Sequence, residues 1–500
     1  MKKMIRIVAI ILILICWGEQ LDHGTIVSRL FGSVFGNNTE IGNKQDHKFF
    51  PTEQTIIPEQ SNSLSKGTVK ILVESAPQEK SEKKVEPSSS GIEKNGTEKS
   101  RIEKPSFWSQ FRGPNGTGIF SSKAPLPIEW SESKNIRWKT PIHDKGWSSP
   151  VIWGNQIWLT TALENGKEMF AVCLDVATGK IVHDLKVIET VKPEFCHPTN
   201  SYASPTPVIE EGRVYLHFGT YGTICLNTQT GKEIWQRTDL HCDHFRGPAS
   251  SPILFDQLII VPFDGIDVQF VVALNKNTGE TVWKLERAID YQTKVGDMKK
   301  GYGTASVLTI EGKPQLISSA AKATIAYDPY TGKEIWKVYH GGMNTTAPPL
   351  LYKDRIFICT GDGGDRLVCV RTGGHGDITK THVLWKSNRG IPSRSSPILI
   401  GDQLVMVNEN GVLTILDTET GKVLQQERVG GRYWASPIYD NHHLYLIDDE
   451  GMARIGVLKP KWELIAKNKL DQGCMGTPAI IDGALLVRTK THLYCIANNK

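Results

Sequence analysis

A three-residue phrase recurs along the chain: a small residue, then Ser or Thr, then Pro. Each copy is followed by apolar residues that alternate with polar ones. This period of two predicts half-buried β-strands. Eight such starts, one of them a variant without Pro, are separated by roughly 40 to 57 residues: Ser148-Ser149-Pro150, Pro205-Thr206-Pro207, Ser250-Ser251-Pro252, Thr304-Ala305-Ser306, Thr346-Ala347-Pro348, Ser395-Ser396-Pro397, Ala435-Ser436-Pro437 and Gly476-Thr477-Pro478. The spacing is typical of propeller blades.

A second phrase follows most starts and predicts a tight hairpin turn. Asp or Asn opens the turn, and a Gly four residues later adopts the positive φ that closes it. The turns are 175–179, 227–231, 275–279, 328–332 and 417–421. Trp235, Trp283 and Trp336 follow their glycines by four residues. Each repeat is therefore predicted to contain four short antiparallel strands, the fourth carrying a Trp.

The count of strands predicts how the repeats are arranged. Fourth strands are expected at Trp138, His183, Trp235, Trp283, Trp336, Trp385, Gln425 and Trp462. The last start leads to "AIIDGALLV" and "HLYCIA" with no fourth strand, whereas "NIRWKTPI" (135–142) precedes the first start as a strand without a blade. We therefore predict an all-β, eight-bladed propeller of four-stranded antiparallel blades, closed by a strand at about 136–140 that completes the last blade. A stacked solenoid is the alternative.

The region before the repeats has a different composition. Lys2, Lys3 and Arg6 precede an apolar run, which is the order of an export signal, so residues 1–17 are predicted to be a cleaved signal, a short membrane anchor or a lipidated segment at Cys16, in that order. Residues 18–104 are polar and are predicted to be a disordered tether. Residues 105–500 contain the propeller. These features predict an exported, periplasmic or cell-envelope protein.

The charge balance bears on the choice of partners. Lys and Arg number 58 against 53 Asp and Glu, without a concentrated basic stripe, so nucleic acid is not expected as a partner. We expect a monomer whose partner is a protein or an envelope polymer on the loop-rich face, and membrane contact only through residues 1–17.

The loops that lead into first strands, here called leading loops, are expected to share one face with the loops between second and third strands. The polar residues of blades two to four on this face are the ligand-binding candidates: His197, Asn200, Tyr202, His241, Asp243, His244, Arg246, Asp264, Asp267, Gln269 and Lys322. Carboxylates beside histidines and an arginine can bind a polar ligand or exchange protons. The competing interpretation is that they hydrogen-bond the long loops to each other.

Three cysteines fall in leading loops. Cys196 and Cys242 lie in neighbouring loops of a chain predicted to be exported, which predicts a disulfide. Zinc held by Cys196, His197, Cys242 and His244 ranks below it, because no C-x-x-C spacing is present. No metal site is predicted otherwise. Cys173, Cys225, Cys369 and Cys495 occupy the middle of third strands as small core residues.

These phrases resemble the pyrroloquinoline-quinone-like (PQQ-like) propeller repeat, and the stretch from Trp108 to Gly116 resembles the W-x-x-[FW]-R-G-P opening of exported bacterial members, some likened to the BamB type. The resemblance covers residues 107 to 497 and implies fold more than activity. We expect a non-catalytic binding or scaffold module. The alternative is a PQQ- and calcium-dependent alcohol or sugar dehydrogenase, with Asp264 or Asp267 as base and Arg246 or Lys322 near the quinone. That alternative lacks the adjacent cysteine pair of true quinoproteins and a C-x-x-C-H haem motif.

Overall fold

In the computed structural model, residues 107–498 are described. They form eight antiparallel sheets, and a hydrophobic cluster fills the space between each sheet and the next. One of these clusters joins residues of the seventh, eighth and first sheets, such as Tyr445, Tyr494 and Ile157, so the sheets close into a ring. The prediction of an eight-bladed propeller is confirmed. The predicted signal or anchor and all of the predicted tether lie outside the described residues.

The first four blades follow the chain in order. Blade 1 contains β2 (Val151–Trp153), β3 (Gln156–Ala162), β4 (Glu168–Asp175) and β5 (Ile181–Glu189). Blade 2 contains β6 (Val208–Glu210), β7 (Arg213–His217), β8 (Thr223–Asn227) and β9 (Glu233–Arg237). Blade 3 contains β10 (Ile253–Phe255), β11 (Leu258–Asp264), β12 (Gln269–Asn275) and β13 (Thr281–Glu286). Blade 4 contains β14 (Ser306–Ile310), β15 (Lys313–Ser319), β16 (Ala323–Tyr327) and β17 (Glu334–Tyr339).

The remaining blades complete the ring. Blade 5 contains β18 (Leu350–Tyr352), β19 (Arg355–Cys359), β20 (Leu367–Arg371) and β22 (Val383–Ser387). Blade 6 contains β23 (Ile398–Ile400), β24 (Gln403–Val407), β25 (Val412–Asp417) and β26 (Val423–Arg428). Blade 7 contains β27 (Ile438–Tyr439), β28 (Leu444–Ile447), β29 (Met452–Leu458) and β30 (Trp462–Lys469). Blade 8 contains β31 (Ala479–Ile481), β32 (Ala484–Arg488), β33 (His492–Ala497) and β1 (Ile136–Pro141).

Strand β1 closes the ring as predicted. It pairs antiparallel with β33, and Trp138 lies opposite Cys495 while Thr140 lies opposite Leu493. The stretch "NIRWKTPI" is thus the fourth strand of blade 8. Pairing the first described strand with the last ties the two ends of the ring together and covers the edge of β33 that would otherwise be open.

Two details differ from the predictions. In blade 7 the fourth strand is present, but Ala466, not Trp462, occupies the register position that Trp holds in other blades, because Ala466 lies opposite Ile455. Trp462 instead begins the strand and packs into the core between blades 6 and 7. Blade 4 gains a fifth strand, β21 (Gly376–Asp377), which pairs parallel with β17 and comes from the long connection that replaces the tight turn in blade 5.

The Ser or Thr of the start phrase links neighbouring blades near the axis. The backbone N–H of Ser149 donates to Thr206 Oγ1, that of Thr206 to Ser251 Oγ, and that of Ser251 to Thr304 Oγ1, each at 3.0 Å. The same link runs from Ser396 to Ser436 at 2.9 Å and from Ser436 to Thr477 at 3.0 Å. We call this series of bonds the hydroxyl ring. It gives a physical reason for the repeated phrase, since each small hydroxyl residue satisfies a buried N–H of the preceding blade.

The stretch 107–124, here called the N-terminal segment, contacts the first strands of several blades. The carbonyls of Trp108 and Ser109 accept hydrogen bonds from Ile152 of blade 1 and Ile209 of blade 2, at 2.8 and 2.9 Å. Farther along, Gly118 accepts from Tyr439 of blade 7 at 2.9 Å. The two backbone N–H groups of Lys123 and Ala124 then donate to Asp482 of blade 8 at 2.7 and 3.0 Å. The segment therefore joins blades far apart in sequence. No helix in the described residues is long and apolar enough to cross a membrane.

Candidate functional site

Leading loops and second-to-third loops contact each other around one face of the ring, here called the loop face. Arg394 of a leading loop pairs with Asp362 of a second-to-third loop at 3.1 Å, and Arg432 pairs in the same way with Asp449 at 2.6 Å. Such ion pairs order the loops more than they stabilise the fold, because surface pairs contribute at most about 1 kcal/mol. All of the predicted ligand-binding residues lie in these loops or at the strand ends beside them.

Asn200 and Tyr202 fix the long leading loop of blade 2. The Asn200 amide donates to the carbonyls of Arg246 and Pro248, at 2.8 and 3.3 Å, and its oxygen accepts from Ser204 at 2.6 Å. The Tyr202 hydroxyl donates to the carbonyl of Glu194 at 2.7 Å, and its ring is 8% exposed. The polar atoms of both side chains are occupied within the loops, as the competing interpretation expects.

His244 is a core residue. It is 4% exposed and lies with its ring nitrogens 3.5 and 3.6 Å from the sulfur of Cys242, and its ring stacks against Phe263. Burial lowers the pKa of His244 to about 4, so the ring is neutral at pH 7. Gly219 has φ of 61°, and a Cβ there would approach the imidazole to 2.4 Å, so this turn requires glycine.

Asp264 forms a fully buried ion pair with Arg287. Both carboxylate oxygens accept from the guanidinium, at 2.6 and 2.7 Å, and both side chains are 0% exposed. Burial raises the pKa of Asp264, against the lowering effect of Arg287. The guanidinium also donates to Ser318 Oγ at 2.9 Å, which ties blade 3 to blade 4. The role of Asp264 as an accessible base is therefore contradicted, because neither oxygen can reach a substrate.

The other carboxylate and amide candidates cap backbone groups. Asp267 accepts from the N–H of Asp243 at 2.8 Å, and Asp243 accepts from that of Phe245 at 2.7 Å. Gln269 donates to the carbonyl of Gly265 at 2.8 Å. The exposed His241 lies 3.2 Å from the hydroxyl of Thr220. These bonds are the pattern by which polar side chains shape irregular loops.

Lys322 lies apart from this group, at the second-to-third loop of blade 4. Its φ is 70°, and its ammonium group is 3.4 Å from the carbonyl of Gly341. Its backbone N–H donates to Gly342 at 2.6 Å. Lys322 thus supports the adjoining leading loop.

His197 and Arg246 keep accessible polar groups. His197 lines a cavity of about 200 Å³ whose walls are Lys145, Leu163, Glu164, Cys196, His197, Pro198, Asn200, Ser201 and Tyr202. Burial lowers the pKa of His197, and the positive charges of Arg246 and Lys145 lower it further. The Arg246 guanidinium has no ion pair or hydrogen bond among residues 107–498, and its Nε is buried. This cavity and the neighbouring guanidinium can accept a polar or anionic group.

Several cations near Arg246 were not predicted from the sequence. The Lys300 ammonium and the Arg246 guanidinium lie 5.4 and 5.7 Å from the centre of the same Phe245 ring. Burial lowers the pKa of Lys300 to about 8, and Arg246 contributes to the shift. Lys145, Arg246, Lys300 and Arg394 each precede a start phrase by no more than four residues. Aligning the leading loops on the start phrases could have identified this cationic group.

The predicted disulfide is absent. Cys196 and Cys242 are both free thiols. The Cys196 sulfur faces the carbonyls of His197 and Arg246, at 3.9 and 3.7 Å, whereas the Cys242 sulfur faces the His244 ring. The zinc alternative is not supported either. Within the described part of the chain, no three His, Cys, Asp or Glu side chains are arranged to hold a metal ion. The four cysteines predicted to fill third strands are buried.

The residues proposed for quinone chemistry do not fit such a cofactor. Asp264 is paired with Arg287, Asp267 accepts a hydrogen bond from a backbone N–H, and Lys322 contacts a neighbouring loop. A calcium ion bound with the quinone would need several converging oxygen ligands. No such carboxylate group is found between residues 107 and 498. We therefore derive no catalytic step through a quinone.

Comparison with known proteins gives the family. A family model described as outer membrane protein assembly factor BamB matches residues 96–239, 132–270 and 267–500. BamB of Legionella pneumophila is 26% identical over 212 residues, which cover 41% of this chain and 49% of that protein. The quinoprotein alcohol dehydrogenase PedH of Pseudomonas putida is 30% identical over 202 residues, covering 37% of this chain and 29% of that one. The chain thus spans at most about half the length of these relatives.

The fold is also shared with solved structures. The quinohemoprotein alcohol dehydrogenase of Comamonas testosteroni superposes with a TM-score of 0.57 at 11% identity, covering 79% of this chain and 81% of that one. At this identity the likeness concerns the fold alone. Because the family model matches most of the chain, this PQQ-like propeller belongs to the family described as outer membrane protein assembly factor BamB.

Proposed function

We propose that the chain is a non-catalytic, protein-binding scaffold of the cell envelope that holds its partner on the loop face. The observation that carries the proposal is how the candidate polar side chains are used. Asp264, Asn200 and Tyr202 are committed to bonds within the scaffold, whereas the guanidinium of Arg246 makes no hydrogen bond or ion pair in the described residues. A carboxylate that is already bonded within the protein cannot take a proton from a substrate, whereas an unpaired cation can bind a partner. This arrangement favours binding over proton transfer.

The relatives agree with an envelope role. The name of the Legionella pneumophila protein places it in outer membrane assembly, and the charged and then apolar start of this chain predicts export. Arg and aromatic residues are enriched where protein partners bind most strongly. Phe195 is 61% exposed beside His197 and Phe245, so the loop face offers such residues around Arg246.

Site-specific photo-crosslinking of the full chain in its native cells would test the proposal. A crosslinking residue at His197 probes the loop face, and one at Glu419, which is 77% exposed on the 417–421 turn of blade 6, probes a matched position away from it. We expect a discrete crosslinked protein at His197 that is lost in the R246Q variant, and none at Glu419. Equal crosslinking at both positions, or none at His197, would contradict the proposal.

A second assay distinguishes the scaffold proposal from the alternative of a PQQ-dependent dehydrogenase. Purified chain is incubated with PQQ and calcium, and its thermal stability and dye-linked alcohol oxidation are measured. A ligand that binds the folded state raises its stability by mass action. A stability increase together with turnover would replace the scaffold proposal by a quinoprotein function.

A further inference from the structure

The N-terminal segment covers the free edge of the first strand in three blades. Each first strand is the end strand of its sheet, so only one of its edges pairs with a strand of the same blade. On the other edge, the N–H groups of Ile152, Ile209 and Tyr439 donate to carbonyls of the segment. These residues share one register position, directly before the residue that closes the hairpin to the second strand.

Blade 7 shows this pairing in its complete form. The N–H of Tyr439 donates to the carbonyl of Gly118 at 2.9 Å, and the carbonyl of Tyr439 accepts from the N–H of Phe120 at 3.0 Å. Ile119, between these two residues, forms a parallel bridge with Tyr439. The segment thus adds to the sheet in the way that extended peptides add to open strand edges.

Leu254 occupies the same register position in blade 3 but is not paired in this way. It lies opposite Ile259 and directly precedes Phe255, which closes the hairpin with Leu258. Because residues of an antiparallel ladder alternate in the direction of their backbone groups, the N–H and carbonyl of Leu254 point away from β11, as those of Tyr439 point away from β28. Neither group of Leu254 has a hydrogen-bond partner within residues 107–498.

A cavity of about 220 Å³ lies along this edge. Leu254 of β10 and Val307 of β14 line it from the blades, and Gln110 and Phe111 line it from the N-terminal segment. The cavity is smaller than the roughly 300 to 1,000 Å³ of typical small-molecule pockets. It therefore leaves room for a short stretch of chain between the open edge and the segment.

The lining of the cavity favours an uncharged occupant. None of the residues that line it is ionisable. Phe111, Phe255 and Pro314 provide apolar surface, whereas the side-chain amides of Gln110 and Asn115 provide donors and acceptors that make no hydrogen bond in the described part of the chain. A charged group would lose its hydration here without gaining a counter-charge. An extended peptide with uncharged side chains satisfies both kinds of surface.

We propose that this cavity binds a short, uncharged stretch of extended chain from a partner protein, which adds to β10 at Leu254 as Gly118–Phe120 adds to β27 at Tyr439. The N–H of Leu254 donates to a carbonyl of the bound chain, and the carbonyl of Leu254 accepts from an N–H two residues farther along it. The amides of Gln110 and Asn115 can bond to its remaining backbone groups. The loop-face binding proposed above does not depend on this site, because none of the ligand-binding candidates lines the cavity.

A synthetic peptide tests the proposal on the full chain. Its sequence, Thr-Gly-Ile-Phe-Ser with acetylated and amidated ends, copies the uncharged residues 117–121 that include the pairing in blade 7. Calorimetry gives its Kd, and at about ten times that concentration the exchange of the Leu254 amide hydrogen should be slowed about tenfold, as measured by mass spectrometry at single-residue resolution. The exchange at Tyr439 should not change. Protection at Tyr439 instead of Leu254, or no binding, would overturn the proposal.

Two proline variants locate the hydrogen bond. Proline lacks the N–H and is tolerated on a strand edge that faces away from the sheet. L254P should weaken peptide binding about fivefold, which corresponds to the loss of one hydrogen bond. L351P changes the same register position in blade 5, opposite Ile356 and outside the cavity, and should bind the peptide as the wild type does. Equal affinities of the two variants would contradict the proposal.

Two further measurements do not require L254P to fold. A peptide that is N-methylated at its Phe lacks the N–H that is donated in blade 7, so it should bind the wild-type chain about fivefold more weakly. Crystals of the full chain grown with the unmodified peptide should show it in the cavity, paired with Leu254. Residues that precede position 107, or a second copy of the chain, in the cavity in place of the peptide would refute the proposal.

Discussion

Trp138 of strand β1 covers the turn glycine Gly179 of blade 1. A Cβ added to Gly179 would lie 2.4 Å from the indole ring, and the indole N–H donates to the carbonyl of Val176 at 3.0 Å. Thr140 adds a bond to the Gly179 carbonyl at 2.7 Å. Trp235 covers Gly279 and Trp283 covers Gly332 in the same way. In these blades, the Trp of the fourth strand thus packs on the turn glycine of the next blade, so the two repeated sequence features form one contact between neighbouring blades.

Replacing Trp138 by Ala should destabilise the closure of the ring. The W138A variant removes an aromatic ring packed on a turn and an inter-blade hydrogen bond, so we expect a loss of about 3 kcal/mol in the free energy of unfolding. Urea denaturation measures it. The neighbouring and exposed Arg137 supplies the control, R137A, which should change stability by less than about 0.5 kcal/mol. Equal stabilities of W138A and R137A would show that this contact does not hold the ring closed.

Replacing Asp264 by Asn tests whether this residue is structural. The D264N variant leaves the buried Arg287 without its counter-charge, and breaking a buried pair in this way costs about 3 to 5 kcal/mol. D256N changes an exposed carboxylate of the same blade and should be nearly neutral. Chemical denaturation of both proteins decides, and a D264N protein as stable as D256N would refute the structural role.

Stability should fall in mild acid because three buried histidines must be protonated on unfolding. Burial lowers the pKa of His217 and His340 to about 3 and that of His244 to about 4. The unfolded chain binds these protons near the usual pKa of about 6.5, so the contribution is complete above pH 6.5 and is lost as the pH falls from there to about 4 for His244 and about 3 for the other two. The free energy of unfolding at pH 7, 6, 5 and 4.5 gives the slope.

The H217Q variant isolates one of these groups. Each buried histidine contributes a slope of up to about 1.4 kcal/mol per pH unit, so H217Q should have a shallower dependence by that amount. H442Q changes an exposed histidine and should keep the slope of the wild type. Identical slopes in all three proteins would mean that His217 does not take up a proton on unfolding.

The leading-loop cysteines should remain reduced. Burial raises the pKa of Cys196 to about 11 and that of Cys242 well above its ordinary value, which keeps both as unreactive thiols at pH 7. Intact mass measured with and without reductant should therefore agree. A mass lower by about two hydrogens without reductant, with a Cys196–Cys242 peptide after digestion, would restore the bridge predicted from the sequence.

The repeated phrases of the sequence are enough to predict the closed ring. Start phrases, turn glycines and Trp positions recur because every blade meets the same neighbours, so local chemistry repeats with the geometry. The count of fourth strands was enough to assign β1 to blade 8. The register of blade 7 was not predictable in this way. The marker of a fourth strand is a Trp, but in blade 7 that position holds Ala466, and the only nearby Trp, Trp462, lies four residues earlier.

The roles of the polar residues depend on contacts between distant parts of the chain. Asp264 and Arg287 lie 23 residues apart, and their pairing depends on the strand order of blade 3, which brings the end of β11 near the end of β13. Arg112 was visible in the sequence as part of an opening phrase, but it is buried against Pro397 of blade 6, 285 residues away. Whether a charge is paired, free or buried is set by contacts across the ring, and a one-dimensional pattern does not contain them.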